Sequence, residues 1–314
     1  MLAIIIPFYK STYFEETIQS LINQSDKRFR VYIGDDASPE YPKKIIEKYQ
    51  DKFDVNYYRF NENLGSKSLT KQWRRCIDLS GNEEWIMILG DDDVLSNNTV
   101  AQFYKSLRQI DEEINVIRYS TQLINERNET ISDVYTHPEI EKSADFLIRK
   151  ITNRTRSSLS EYIFKKEKVF EIGFRDYPLA WYSDDMAVLE FSEFKNVYSI
   201  NKAVIFVRFS SLSISGDVTK ERIKNKAKFA FYYFLLTRRT NCFSKKQKQI
   251  LVSKISNCYI NEKKQIVYFL KITWLYFNYN SFINYLKFIK SVVCHFTKIV
   301  KKYMKVIKCA LFIF

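Results

Sequence analysis

The sequence predicts an α/β protein with a mostly parallel sheet and flanking helices, followed by a C-terminal helical extension. Short apolar runs alternate with segments of helical periodicity along the first 110 residues, and this alternation is typical of parallel βαβ units. From about residue 220 onward, apolar residues recur every three or four positions, which is the spacing of amphipathic helices.

Apolar side chains fill most positions of the predicted strands, as expected where helices cover both faces of a parallel sheet. The predicted strands are 2–7, 30–33, 55–60, 85–89, 116–120 and 204–209. The predicted helices are 11–24, 42–49, 69–79, one that begins at Asn97 or Asn98, 144–151 and 186–194. Ser11 or Thr12 is expected to cap the first helix, because a side-chain oxygen there accepts from a free backbone N–H group.

The chain is long enough for more than one folding unit. Its 314 residues, 46% of them hydrophobic, suit one sizeable domain with an appendage or two small domains. We expect a domain at 1–218, divided into halves at 1–110 and 111–218, and a helical region at 219–314. The five cysteines form no CxxC pair, which favours free thiols in a reducing compartment. The two histidines, His137 and His295, make a histidine-based zinc site improbable, and His137 is expected at the surface or in a loop.

The net charge of +14 is concentrated at the C-terminus. Ten lysines and no acidic residue follow Glu262, whereas a nucleic-acid-binding domain would carry its positive charge across the fold. Apolar residues form a helical stripe over 282–310, with lysines on the other side. This pattern favours a helix lying on an anionic membrane surface; a helix packed on the domain or in a dimer is the alternative. No run of about 18 apolar residues exists, so no ordinary membrane span is expected, nor is a signal peptide.

Three polar clusters follow predicted strands, at 7–10, 35–38 and 91–93. Ligands of open α/β sheets bind beyond the carboxyl ends of the strands, so we expect the clusters to converge. Asp91 and Asp93 are two positions apart, and side chains at that spacing just past a strand are expected to project the same way. Paired carboxylates are hard oxygen ligands suited to Mg²⁺ or Mn²⁺ with a bound diphosphate. The alternative is a solvated acidic turn before the next helix.

In their order and spacing, these segments resemble the family-2 glycosyltransferases, which are inverting enzymes with the Rossmann-like GT-A fold. The resemblance extends from Met1 to about residue 110. The segments that carry it are Ala3-Ile4-Ile5-Ile6-Pro7-Phe8-Tyr9-Lys10, Leu21-Ile22-Asn23-Gln24-Ser25, Val31-Tyr32-Ile33-Gly34-Asp35-Asp36-Ala37-Ser38, Asn61-Glu62-Asn63-Leu64-Gly65 and Ile88-Leu89-Gly90-Asp91-Asp92-Asp93-Val94-Leu95.

The resemblance implies roles for residues of the nucleotide-sugar half. Asp36 matches the acidic residue that reads the base, and the three aspartates match the DxD segment. Asp93 is expected to ligate the metal, with Asp91 at the metal or the ribose and Asp92 as the alternative ligand. Pro7, Phe8 and Tyr9 would line the nucleotide pocket.

One helix departs from the family pattern. Trp73 stands where many members carry the arginine of an Arg–Asn pair. Lys71 or Arg74 would then contact the diphosphate, or Trp73 would pack beneath the base. Core packing of Trp73 is the alternative.

A second acidic pair lies at the distance where the family places its catalytic base. Asp185 aligns with the base, which deprotonates the acceptor hydroxyl, and Asp184 with its neighbour. Trp181 and Tyr182 are expected to stack on an acceptor sugar, and Arg208 to contact the diphosphate or the acceptor. Helix capping by Ser183 or Asp184 is the structural alternative.

The predicted function is transfer of a sugar from a nucleotide diphosphate, UDP-hexose or UDP-N-acetylhexosamine, to a glycan or a lipid-linked glycan. The predicted setting is capsule, O-antigen or lipooligosaccharide synthesis, in the cytoplasm at the inner face of the membrane. One alternative is a metal-dependent nucleotidyltransferase, although residues 7–10 are not the Gly-rich basic loop expected there. A non-enzymatic nucleic-acid-binding protein is the other.

Overall fold

The computed structural model describes residues 1–210, 218–262 and 265–294. The chain divides into two compact units, Met1–Lys220 and Glu221–Phe314, where the sequence analysis placed the boundary after residue 218.

The described part of the first unit contains one nine-stranded mixed sheet. Its strands are β1 (Leu2–Phe8), β2 (Phe29–Asp35), β3 (Val55–Arg59), β4 (Trp85–Ile88), β5 (Val94–Leu95), β6 (Val116–Ile124), β7 (Ile140–Lys142), β8 (Tyr162–Lys165) and β9 (Asn196–Arg208). The strand order is β3-β2-β1-β4-β8-β6-β9-β5, with β7 paired to β9. Strands β3, β2, β1 and β4 are parallel, as are β6 and β9.

Strand β8 runs antiparallel to both of its neighbours, β4 and β6. Since β4 and β6 are each antiparallel to β8, they run in the same direction, and their carboxyl ends lie at the same edge of the sheet. The reversed strand begins at that edge. The turn before β8 therefore faces the loop that follows β4.

Seven helices of the first unit connect these strands, among the described residues. They are α1 (Phe14–Ile22), α2 (Lys43–Tyr49), α3 (Leu69–Ile77), α4 (Thr99–Ser106), α5 (Ser143–Ile151), α6 (Lys166–Ile172) and α7 (Ser183–Phe191).

The alternation of side chains along β1 separates two apolar layers. Leu2, Ile4, Ile6 and Phe8 belong to one core cluster, which also contains the apolar residues of α1 and α4. Ala3 and Ile5 belong to the other cluster, with residues of α3 and α7. Close approach of α3 depends on Gly34, because a Cβ there would overlap the Cys76 sulfur. Helices thus cover both faces of the sheet, as predicted.

The predicted strands and most of the predicted helices are confirmed, with ends shifted by a few residues. Strands β5, β7 and β8 and helix α6 were not predicted, because their apolar runs are short and lack a clear period. The caps predicted for the first helix and for α7 are wrong, because the N-cap residues of α1 and α7 are Tyr13 and Tyr182. Asn98 is the N-cap residue of α4, as predicted, although its side chain makes no capping hydrogen bond. Helix α7 begins at Ser183, so the acidic pair lies in its first turn.

His137 lies in a loop before β7, as one of the two expectations had it, but it is not at the surface. The side chain is buried, and its Nδ1 lies 3.2 Å from Nη2 of Arg149. Burial, with the charges of Arg118, Arg149 and Arg156, lowers the pKa of His137 to about 2. This histidine therefore belongs to an internal polar network and stays neutral at ordinary pH.

The described part of the second unit is helical: α8 (Glu221–Arg238), α9 (Lys245–Glu262), α10 (Ile266–Tyr279) and a helix at 282–294. None of the described helices is both long and apolar enough to cross a membrane. The predicted stripe over 282–310 is described only as far as residue 294. Of the predicted stripe residues, Tyr285, Ile289 and Val292 are half-buried, so part of the predicted apolar face packs inward. The buried residue of this helix is Phe288, which the predicted stripe did not include.

Candidate active site

A cavity of about 870 Å³ opens beyond the carboxyl ends of β1, β2 and β4, at the edge where the sequence predicted a ligand site. Each of the three predicted clusters contributes to its wall. The lining residues are Pro7, Tyr9, Lys10, Thr12, Tyr13, Asp36, Asn63, Gly65, Ser66, Lys67, Ser68, Leu69, Asp91, Asp92, Asp176, Tyr177, Pro178, Leu179, Ala180, Ser210 and Lys220.

Asp91 fixes the loop after β4 to the end of β1. Its Oδ2 accepts hydrogen bonds from the backbone N–H groups of Tyr9 (2.8 Å) and Lys10 (2.9 Å). Burial raises the pKa of Asp91, and these two donors oppose that shift. The carboxylate thus joins two clusters that are some 80 residues apart in sequence.

Asp93 points into the protein and does not line the cavity. Its Oδ1 accepts from the backbone N–H of Arg208 at 2.9 Å, and its Oδ2 accepts from Ser160 Oγ. Ser160 lies in the turn before β8, which the reversed direction of that strand places at this edge. Both carboxylate oxygens of Asp93 are therefore used to hold the sheet edge together.

Arg208 lies behind the acidic loop and does not line the cavity. Its Nε donates to the Asp92 carbonyl oxygen and its Nη1 to the Asn125 carbonyl oxygen, both at 2.9 Å. Its guanidinium carbon lies 4.2 Å from the centre of the Tyr13 ring, within the range of a cation–π contact. Arg208 thus clamps the backbone of the loop and supplies positive charge next to it.

Asp92 is the member of the acidic run whose carboxylate is left for the cavity. Within the described part of the chain, no other residue donates a hydrogen bond to it. Burial, then the charges of Asp93 and Asp91, raise the pKa of Asp92 to about 8, and Arg208 opposes the shift only in part. A bound cation would remove this electrostatic cost.

The carboxylates of Asp91 and Asp92 fit a divalent ion that takes further oxygens from a ligand. No group of three or more His, Cys, Asp or Glu side chains among the described residues could hold a metal by itself. One or two carboxylates with substrate phosphates form the usual Mg²⁺ site. The donor set therefore suits a metal that binds together with a diphosphate.

Asp36 lies on the wall of the cavity, and it is held by an arginine that sequence reasoning missed. It accepts from the backbone N–H groups of Leu64 (2.7 Å) and Gly65 (2.8 Å), and from Nη2 of Arg75. The Arg75 guanidinium also stacks on Phe60, at 3.9 Å. Burial raises the pKa of Asp36, and these donors oppose the shift. Nothing in the sequence distinguishes Arg75 from the adjacent Arg74, because the contact with Asp36 depends on how α3 packs.

Three predicted pocket residues lie away from the cavity. Phe8 points into the core and contacts Phe14, with ring centres 4.7 Å apart, because side chains alternate along β1. Trp73 packs edge-on against Phe174 at 5.4 Å, which is the core-packing alternative. Lys71 is exposed on α3.

Asp185 is 2% exposed and forms a buried ion pair. Nζ of Lys150 lies 2.5 Å from both of its carboxylate oxygens. Burial raises the pKa of Asp185 to about 6; Lys150 opposes this shift and Asp184 adds to it. The same lysine lies 5.4 Å from the ring centre of Tyr182. Asp184, Asp185, Trp181 and Tyr182 do not line the cavity, although residues 176–180 directly before them do.

Asp176 is a carboxylate on the cavity wall that the sequence analysis did not select. It accepts from Ser68 Oγ and Thr70 Oγ1, each at 2.8 Å, and so connects the start of α3 to the segment before α7. In that segment Leu179 and Ala180 have φ values of 60° and 51°. Such left-handed conformations cost free energy in residues with a Cβ and persist where surrounding contacts hold them.

The sequence pattern of one family, described as glycosyl transferase family 2, matches residues 3–186, which is more than half of the chain. The chain belongs to glycosyltransferase family 2. This membership makes it a transferase of the glycosyltransferase kind, which is an enzyme.

Solved structures with the same fold include S. aureus TarS. The structure of TarS 1-349 in complex with UDP-GlcNAc superposes with a TM-score of 0.63 at 14% identity, covering 93% of this chain and 81% of that one. A second TarS structure gives a TM-score of 0.60 at 15% identity, over 82% of this chain and 43% of that one. These similarities support the GT-A-like α/β fold of the glycosyltransferase.

A curated relative is the uncharacterized glycosyltransferase MG060 of Mycoplasma genitalium. It is 32% identical over 111 residues, which are 33% of this chain. The matched region spans 36% of that relative's length.

From the hydrogen bonds of the acidic run, we expect two isosteric substitutions to differ in their effect on stability. Asp93→Asn turns one acceptor oxygen into an amide facing a buried donor, so we expect the free energy of unfolding to fall by about 1–3 kcal/mol. Asp92→Asn replaces a carboxyl group that accepts no hydrogen bond from another described residue, so no loss of stability is expected. Urea denaturation without nucleotide or metal measures both. Equal losses in the two variants would contradict this assignment of the carboxylates.

Proposed function

We propose that this glycosyltransferase takes its sugar from a UDP-sugar, either UDP-hexose or UDP-N-acetylhexosamine, bound in the cavity at the carboxyl edge of the sheet. The observation that carries the proposal is the Asp92 carboxylate, which faces the cavity beside Asp91. Asp36 lies on the same wall and suits the N3–H donor of uracil. The UDP-GlcNAc complex of TarS, a protein of the same fold, also supports a uridine nucleotide.

In this proposal Asp91 and Asp92 hold Mn²⁺ or Mg²⁺ against the diphosphate. The bound ion would neutralise the charge that develops on the leaving diphosphate. Asp93 and Arg208 position the acidic loop from behind, because their polar atoms are used by the protein. Pro7 and Tyr9 line the nucleoside side of the cavity. The role of metal ligand, which the sequence analysis expected of Asp93, is therefore proposed for Asp92.

Asp185 is proposed as the general base for transfer with inversion. A base must be ionised when the acceptor hydroxyl attacks, and burial alone would keep this carboxyl protonated. Lys150 favours the ionised form and fixes the orientation of both oxygens. Asp184 adjoins the base, and Trp181 and Tyr182 are proposed to support the acceptor sugar.

The proposed acceptor is a glycan or a lipid-linked glycan of a bacterial surface polysaccharide: capsule, O-antigen or lipooligosaccharide. The proposed location is the cytoplasm, peripheral to the inner face of the membrane. The segment after Glu262, which has ten lysines and no acidic residue, supports contact with anionic lipid.

Metal-dependent UDP binding is the first expected outcome. Calorimetry should show UDP binding that strengthens with Mn²⁺, and Asp92→Asn should weaken it about tenfold or more, which corresponds to about 1.4 kcal/mol. Asp93→Asn, assayed at a temperature where it is folded, is the matched control and should keep a metal-dependent increment. GDP, dTDP and CMP test the choice of base. Metal-independent binding, or a larger loss in the Asp93 variant, would contradict the proposed ligands.

Two isosteric variants distinguish the carboxylates that are available as a base. Asp185→Asn should lower kcat by a factor on the order of 10² to 10⁴ and leave UDP binding unchanged. Asp176→Asn, which keeps an acceptor for Ser68 or Thr70, should keep most of kcat. Sugar transfer from UDP-hexose and UDP-N-acetylhexosamine to an added glycan gives the rates. The reverse ranking would assign the base to Asp176.

The pH dependence of transfer should depend on Lys150. With the pKa of Asp185 raised to about 6, kcat/KM should fall as the pH decreases through that value, because protonation removes the base. Lys150→Met removes the charge that opposes the shift, so the acidic limb should move to higher pH. Profiles of kcat/KM at saturating metal measure this. Arg149→Met, a change at the neighbouring residue that pairs with Glu141, is the control and should leave the limb in place.

A further inference from the structure

Helix α10 exposes an apolar stripe on the side opposite its packed face. Ile272, Leu275 and Tyr276 are buried, whereas Ile266, Val267, Leu270, Trp274 and Phe277 are 48% to 73% exposed. At 3.6 residues per turn, these five positions fall within an arc of about 100°. A surface helix of a soluble domain normally has one apolar side, and α10 has two.

The helix at 282–294 repeats this arrangement. Phe288 is its buried contact with α10, stacked on Tyr276 with ring centres 5.4 Å apart. Its exposed residues are Phe282, Ile283, Leu286 and Val293, all at least half exposed. Their spacing gives an arc of the same width. We call the exposed apolar residues of the two helices the apolar face.

The two helices that carry the apolar face contain lysines but no acidic residue. Lys287 and Lys290 are exposed on the second helix, and no Asp or Glu occurs anywhere after Glu262. Surface helices of soluble domains commonly carry acidic residues among their lysines. A bilayer with acidic headgroups has an apolar interior and an anionic surface. An apolar stripe whose charged neighbours are all basic is complementary to such a bilayer.

A second copy of the chain fits this face less well. In a symmetric dimer the same patch meets itself, so the lysines of one copy would approach those of the other. Like charges across an interface oppose association. The charge pattern therefore favours an anionic surface over self-association.

We propose that the apolar face docks on the surface of an anionic lipid bilayer, with the two helices lying in the plane of the headgroups. No described helix can cross the membrane, which agrees with a helix pair that lies on it. The inference rests on the peripheral location proposed above and assigns that location to named residues. It does not depend on the donor sugar or on the base.

The test is sedimentation of the full chain with vesicles. One set contains phosphatidylcholine alone, and the other contains equal parts of phosphatidylcholine and phosphatidylglycerol. The wild type should bind the anionic vesicles, less at high salt, and bind phosphatidylcholine weakly. Leu270→Gln/Phe277→Gln should lower the partition coefficient about tenfold or more.

Ile131→Gln/Val134→Gln is the matched control, because both residues are exposed apolar side chains of the first unit. It should bind vesicles within about twofold of the wild type. Far-UV circular dichroism and thermal unfolding, measured on every variant, report the folding of both units. UDP binding, which concerns the first unit, is measured separately and keeps a failure here distinct from a failure of the proposed chemistry.

Three results would overturn the proposal. The first is wild-type protein that does not bind anionic vesicles. The second is unchanged vesicle binding of the Leu270→Gln/Phe277→Gln variant. This result would count against the apolar face even if a variant that lacks residues 295–314 no longer bound the vesicles. The third is a dimer in the absence of lipid, seen by analytical ultracentrifugation, that the same pair dissociates.

Discussion

Three adjacent carboxylates at the end of a buried strand repel one another, and the surrounding structure provides a different environment for each of them. Asp91 is held by the backbone after β1. Asp93 is held by the turn before β8 and by the backbone of β9. Asp91 and Asp92 line the cavity, and of the two only Asp92 has no hydrogen-bond donor from another described residue. The loop thereby joins four strands at one edge, and the charge that remains unmatched faces the space where a cation and a diphosphate would bind.

The strand–helix alternation and the converging clusters were predictable from the sequence, because period and apolar content are local properties. The direction of β8 was not predictable, since four residues carry no signal of orientation, and the contact between Ser160 and Asp93 depends on it. Which aspartate faces the cavity was equally beyond the sequence. Adjacent identical residues differ only in their partners, and those partners, Tyr9, Ser160 and Arg208, come from distant segments.

The predicted base, Asp185, also depends on a partner that the sequence does not identify. The acidic pair was found, and the expected role of Asp185 is compatible with its environment only because Lys150 lies against it. Lys150 is one lysine among many in a basic chain, and its neighbour Arg149 pairs with a different acid. Identifying the lysine that pairs with Asp185 therefore requires knowledge of how α5 packs against α7. The aromatic predictions differ for a simpler reason: Trp73 and Phe8 are large apolar side chains with a core to fill.

Asp176 gives the two sides of the cavity a shared support, because its carboxylate joins the first turn of α3 to the segment that leads into α7. The residues it connects are more than 100 positions apart in the chain. In the proposed assignment, Ser68 and Thr70 border the donor and the segment that holds Asp176 borders the acceptor. We therefore expect substitutions that displace Asp176 to change the preference for donor and the preference for acceptor together.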